Sequence, residues 1–305
     1  MNMQPTIEVV EVSPRDGFQS ICEPIETQKK ISIIEDLVSA GCKRVEIGSF
    51  VNPKAVPQMA DTSLIAQHFG GRKDFRALAL VPNLKGFERA LENDVKEMAY
   101  VFSASDTHNQ KNVGCSTKDS IEALKVLIKT YHSEKDISLR VSIGTAFDCP
   151  YQGRILLDRL RSVVSEVLET SDDVEIALCD TTGRATPFQV ENAFLEFIKE
   201  NEARSTRWAF HGHDTYGLGI ANAFFAYRSG VRIFDSSAGG LGGCPFAPGA
   251  SGNIATEDLV YSFEKSGIKT GVEFKSLLDV ADVISELPGG KTASHLRLLP
   301  RDRLF

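Results

Sequence analysis

Eight short runs rich in β-branched and aliphatic residues constrain this chain more than any other feature. They lie at 7–12, 44–47, 76–80, 97–102, 139–143, 174–178, 208–210 and 231–234. Amphipathic stretches with helical spacing fall between them, including 27–40, 118–132, 155–170, 187–201 and 220–229. Alternation of this kind predicts parallel strands joined by helical crossovers. Eight such units close into a (β/α)8 barrel, the TIM-barrel architecture, rather than an open sheet. No G-x-G-x-x-G follows the first run, which removes the main sign of a dinucleotide-binding sheet. Thr27 is placed to cap the first helix, and Gly41 and Gly230 fall where helices should end. A further helix is expected over 272–287, with a mobile tail over 296–305. With no linker or low-complexity tract, the 305 residues read as one catalytic domain. The barrel would cover about 5–265 and a C-terminal helical extension about 266–305.

Charge and cysteine usage narrow the function. The formal net charge is −7, which argues against general nucleic-acid binding. No continuous apolar run is long enough to span a membrane, and residues 1–5 have neither the basic nor the apolar region of a signal peptide. Six cysteines, at 22, 42, 115, 149, 179 and 244, show no C-x-x-C spacing. That pattern fits a reducing, cytoplasmic setting better than a disulfide framework or a zinc knot.

In this architecture the active site lies where the strands end, and polar residues do follow the apolar runs. Arg15-Asp16-Gly17 comes after the first, where a local salt bridge or turn is the simpler account. Glu46 interrupts the second, and a carboxylate inside a barrel is costly unless paired or ligating; Arg15 is a candidate partner. Asp180, after the sixth, could orient a ligand or form a turn. His211-Gly212-His213 follows the seventh, and in a strand residues two apart share a face, so both imidazoles would converge on one point. The eighth leads into Gly239-Gly240-Leu241-Gly242-Gly243-Cys244-Pro245, a glycine-dense loop in which Cys244 is a candidate acid, base or nucleophile. Asn253 precedes a helix, and its side chain could cap that helix or serve as a ligand.

Several segments together resemble the 3-hydroxy-3-methylglutaryl-CoA lyase family of metal-dependent lyases. They are Ser-Pro-Arg-Asp-Gly-Phe-Gln (13–19), Glu-Ile-Gly-Ser-Phe-Val (46–51), His-Gly-His-Asp-Thr-Tyr-Gly (211–217), Gly-Leu-Gly-Gly-Cys-Pro (240–245) and Gly-Asn (252–253). The similarity runs in order along nearly the whole chain. It implies Mg²⁺ or Mn²⁺ held by Asp16, His211, His213 and Asn253, a mixed O/N ligand set suited to such ions. It implies a carboxylated 3-hydroxyacyl-CoA as partner, with no nucleic acid and no membrane, and a homodimer or higher homo-oligomer as the assembly. Asp16 or His211 would take the substrate hydroxyl proton, Arg15 would stabilise the enolate, Cys244 would protonate it, and Glu46 would position Arg15 or the substrate. Lys54, Lys85 and Lys111 are the rim lysines nearest to CoA contacts, though a solvated surface position is the simpler account of each. Residues 17–22 and 144–150 depart from the family pattern, with Phe147 and Asp148 adding bulk and charge. A different acyl group, a citramalyl-CoA type of substrate or a 4-hydroxy-2-oxoacid, is the alternative.

Overall fold

The computed structural model describes residues 6–131, 136–171, 173–243, 252–290 and 292–304. Eight parallel strands form a closed barrel in the order β1-β10-β9-β8-β5-β4-β3-β2. They are β1 (Glu8–Glu11), β2 (Arg44–Ser49), β3 (Arg76–Val81), β4 (Glu97–Ser103), β5 (Ser138–Gly144), β8 (Glu175–Asp180), β9 (Arg207–Gly212) and β10 (Ile233–Ser236). A small antiparallel hairpin, β6 (Asp148–Cys149) with β7 (Gly153–Arg154), stands in the loop after β5. Helices α1 (Thr27–Ser39), α2 (Thr62–Phe69), α3 (Leu84–Glu92), α4 (Asp106–Asn112) and α5 (Thr117–Tyr131) connect the first half. Helices α6 (Leu157–Leu168), α7 (Pro187–Glu200), α8 (Gly219–Arg228), α9 (Thr256–Lys265) and α10 (Phe274–Ser285) complete the set.

All eight expected runs become barrel strands, but most ladders extend past the apolar residues at their C-terminal ends. Ser49, Ser103, Asp180, Gly212 and Ser236 all remain in strands. An apolar run ends where the barrel interior turns from packed core to site, whereas backbone pairing continues through the polar residues. Helix ends differ in one respect. Thr27 is the first residue of α1 rather than its cap, and the capping position, Glu26, makes no side-chain bond. Gly41 and Gly230 do follow helices with positive φ, at 104° and 108°. The tail is docked rather than mobile. Asp258 on α9 accepts from the Ser294 hydroxyl and from the amides of His295 and Leu296, and Leu304 is buried.

The main core lies between strands and helices, with Phe194, Phe197, Phe210, Phe234 and Phe263 among its largest fully buried side chains. Inside the barrel a second cluster is built mostly from small or branched residues, including Ala99, Ala177, Ala209, Val10 and Val12. Below it lie charges. Arg44 pairs with Glu97 and Glu175, and Arg76 pairs with Glu97 and Glu8.

Candidate active site

The turn after β1 sets the first two groups. The carbonyl of Val12 accepts from the amides of Arg15, Asp16 and Gly17, at 3.1, 2.8 and 3.4 Å, which winds residues 13–17 into one wide π-helical turn. Glu11 anchors it from below. Its buried carboxylate accepts from the amides of Ser13 and Ala238 and from the Thr256 hydroxyl, stitching the ends of β1 and β10 to the start of α9. Arg15 and Asp16 are thereby turned over the barrel mouth. Arg15 Nε donates to Glu46 Oε2 at 2.7 Å and Nη1 to Asp16 Oδ1 at 2.5 Å, so the expected Glu46–Arg15 pairing forms. Burial alone would lower the pKa of Arg15; the charges of Glu46 and Asp16 outweigh it and keep the guanidinium protonated.

His211 ends up inside β9, and His213 forms a bridge just beyond it with Asn253. Ligand atoms of Asp16, His211 and His213 all lie within 4.8 Å of one another, and all three residues are buried. Burial pushes the Asp16 carboxyl up, but Arg15, the two imidazoles and the bond from Asn253 outweigh it and hold it at about 2. Burial drives the His213 imidazole down to about 4, so it is a neutral ring.

Asn253 is not a helix cap: α9 begins at Thr256 with Ala255 in the capping position. Its Nδ2 donates to Asp16 Oδ2 at 2.7 Å and to the Leu241 carbonyl at 3.1 Å, which fixes the amide's orientation. Its Oδ1 is then buried with no hydrogen-bond partner among the described residues, as is Nδ1 of His213. His211 Nδ1 is engaged with Asp235 Oδ2 at 3.1 Å, which leaves Nε2 for a ligand. Two stranded acceptors and two more groups with free lone pairs, none of them a thiolate, suit a hard or borderline divalent cation.

Arg15, Asp16, Glu46, His211, His213 and Asp235 edge a cavity of about 280 Å³. The rest of its lining is largely apolar, with Val51, Val56, Leu80, Pro82, Val101 and Val113. Asp180 turns away from it: its Oδ2 accepts from the Ala185 amide at 3.1 Å, so it shapes the turn after β8, and burial raises its carboxyl to about 7. Lys54, Lys85 and Lys111 are exposed and do not line the cavity, and Lys111 lies over the Tyr151 ring at 4.6 Å. Cys244 falls outside the described residues; Gly243, its neighbour, does line the cavity.

Sequence reasoning missed Gln19, which donates to Asp16 Oδ1 at 3.1 Å, and the pair Arg140–Asp235 behind His211. Arg140 carried the same signal as Glu46, a charge inside an otherwise apolar strand. Gln19 carried none, because its role depends on how the turn winds.

Residues 6–284 match the HMGL-like family model. The chain belongs to the HMGL-like family. A Pseudomonas aeruginosa relative, named 3-hydroxy-3-isohexenylglutaryl-CoA/hydroxymethylglutaryl-CoA lyase, is 39% identical over 97% of each chain. The (R)-citramalyl-CoA lyase of Chloroflexus aurantiacus is 38% identical over 93% of this chain and 91% of its own. Among solved structures, an HMG-CoA lyase from Acinetobacter baumannii, in complex with coenzyme A and 3-methylmalate, superposes with a TM-score of 0.89. It is 37% identical over 97% of this chain and 95% of that one. Among the described residues of this HMGL-like chain, no helix is long and apolar enough to cross a membrane.

Proposed function

We propose that this HMGL-like chain is a carbon–carbon lyase that cleaves a carboxylated 3-hydroxyacyl-CoA, with 3-hydroxy-3-methylglutaryl-CoA giving acetyl-CoA and acetoacetate. The observation that carries the reading is the meeting of Asp16, His211 and His213 at the barrel cavity, with Arg15 in the same lining and Asn253 bonded to Asp16. Asp16, His211, His213 and Asn253 would hold a divalent cation, Mg²⁺ or Mn²⁺, which when bound would supply Lewis-acid assistance to loss of the substrate hydroxyl proton. Asp16 and His211 are the groups beside that hydroxyl able to take its proton. As the C2–C3 bond breaks, C3 becomes the ketone and the electron pair passes to C2 and the thioester oxygen. Arg15, held charged by Glu46 and Asp16, stabilises that enolate by roughly 3–4 kcal/mol. Cys244 delivers the proton that turns the enolate into acetyl-CoA. CoA would enter over the rim that bears Lys54, Lys85 and Lys111. A reducing compartment, the cytoplasm, suits the free thiols at Cys22, Cys42, Cys115, Cys149 and Cys179.

The apolar lining favours a second reading of the acyl group. A substituent at C3 larger than methyl would find Val51, Val56, Leu80 and Val101 in the same cavity as the charged groups. The Pseudomonas relative is named for both 3-hydroxy-3-isohexenylglutaryl-CoA and hydroxymethylglutaryl-CoA, and the Chloroflexus relative for (R)-citramalyl-CoA, which supports keeping the acyl group open. A panel of 3-hydroxyacyl-CoA esters, assayed for acetyl-CoA and for the ketone or keto-acid product, decides both points. Cleavage of at least one ester that is lost in EDTA and restored by Mg²⁺ or Mn²⁺ is expected. No thioester product from any ester, or full turnover in chelator, overturns the reading.

A further inference from the structure

The cavity holds a buried arginine for which the site described so far has no use. Arg140 comes from β5 and is 2% exposed. Its Nη2 donates to Asp235 Oδ2 at 2.6 Å, and its Nη1 lies 3.5 Å from Glu175 Oε1. Asp235 Oδ2 is also the atom that meets His211 Nδ1, whereas buried Asp235 Oδ1 has no hydrogen-bond partner among the described residues. Arg140 therefore grips the one carboxylate oxygen that His211 uses. Glu175 in turn accepts from Arg44 Nη1 at 2.9 Å through each of its oxygens. A row of charges thus runs from the ion-paired base of the barrel up to a candidate metal ligand.

The barrel interior makes room for this row. Ala99, the β4 partner of Arg140 in the ladder, lines the cavity beside it, and Ala177 and Ala209 belong to the same interior cluster. Barrel interiors are more often filled by bulky branched side chains. Short ones here leave space in the interior, and Ala99 and Arg140 line the same cavity. Arg140 Nε has no hydrogen-bond partner among the described residues. Its best bond goes to Asp235.

We propose that Arg140 is a positioning residue for the metal centre: through Asp235 it fixes the tautomer and ring orientation of His211, so that Nε2 faces the cation. This rests on the reading of Asp16, His211, His213 and Asn253 as a divalent-cation site. A hydrogen-bond partner behind a ligating imidazole typically accounts for about 10–100-fold in metal affinity. The alternative is that Arg140 only neutralises Glu175, in which case removing both charges together should leave metal binding intact.

The test uses the full chain, with Mn²⁺ binding followed by calorimetry and the fold followed by metal-free thermal melting. The double variant Arg140→Met with Glu175→Gln removes the arginine without stranding its lower carboxylate. Its Mn²⁺ affinity is expected to fall about 10–100-fold while it still melts cooperatively. Arg140→Lys keeps the charge but serves only one of the two carboxylates, and should fall about 10-fold. Affinity within twofold of the parent in a folded double variant overturns the proposal. Should the double variant not fold, the lysine variant decides, and parental affinity there overturns it equally. A parent chain that binds no Mn²⁺ overturns the metal reading as well as this one, whereas tight parental binding with unaffected variants overturns this one alone.

Discussion

At Asn253 one amide is divided: its nitrogen donates to Asp16 and to the Leu241 carbonyl, and its buried oxygen has no hydrogen-bond partner among the described residues. Arg15 is divided in the same way, one edge held by Glu46 and another by Asp16. Replacing Arg15 with Gln is expected to lower kcat about 100- to 1,000-fold, the usual cost of one donor to a developing oxyanion, and steady-state kinetics on the preferred ester check this. Glu257 offers a pH signature away from the site. It is fully buried with its carboxylate on the Gly239 amide, and burial raises its carboxyl to about 7, against 4.5 ordinarily. A group whose folded pKa is raised favours the folded state below the unfolded value, and that contribution is lost as pH rises to the folded value. Stability should therefore decline between about pH 4.5 and 7, by about 3 kcal/mol if this group acted alone. Glu257→Gln should flatten that decline, and urea denaturation at about pH 5 and about pH 8 measures it. Such residues were unevenly legible. Asp16, His211 and His213 stood out by chemical type at strand ends, whereas Glu11, at least as deeply buried, was lost inside an apolar run.

Elements place these atoms, and the loop after β10 shows how closely. Gly242 has a φ of 129°, and a Cβ built there would lie 2.4 Å from Asn253 Nδ2. A Cβ at Gly252 would lie 2.3 Å from the Gly242 carbonyl. These glycines are required because two backbone segments and an amide share one small space. Gly242→Ala should push Asn253 off Asp16. The expected result is a loss of about 1–3 kcal/mol of stability together with weaker Mn²⁺ binding, read by urea denaturation and calorimetry. The glycine density of this loop was visible in the sequence. Which glycines are irreplaceable was not, because that depends on the side chain or loop backbone to which each is pressed.

The molecule as a whole is closed by the pairing of β1 with β10, and the site lies on that seam. Asp16 follows β1, His211 comes from β9, and Asn253 follows β10. The segment after residue 266 is tied back to the barrel. The Ile7 amide donates to the Lys269 carbonyl, and Asp258 takes up the start of the tail. We propose on that basis that barrel and extension form one cooperative domain, with a single calorimetric unfolding transition. Deleting residues 294–305 leaves the Asp258 carboxylate without those partners. The deletion should cost about 2 kcal/mol and lower Tm by several degrees; an unchanged melting curve would mean that the tail's docking contributes nothing.

The sequence by itself determined the alternation of strands and helices, hence a barrel, and it put ligand-type residues at the strand ends. Both are local properties, set by the period of apolar residues and by the polar residues at the end of each run. Only the tertiary structure decided that residues 16 and 253, separated by 237 positions, share a hydrogen bond, since their meeting requires the last strand to close on the first. It also decided which nitrogen of His211 is spoken for, that the Asn253 amide turns its nitrogen to Asp16, and that a β5 arginine reaches Asp235. Those are distances between atoms on different elements, and no pattern along one chain segment encodes them.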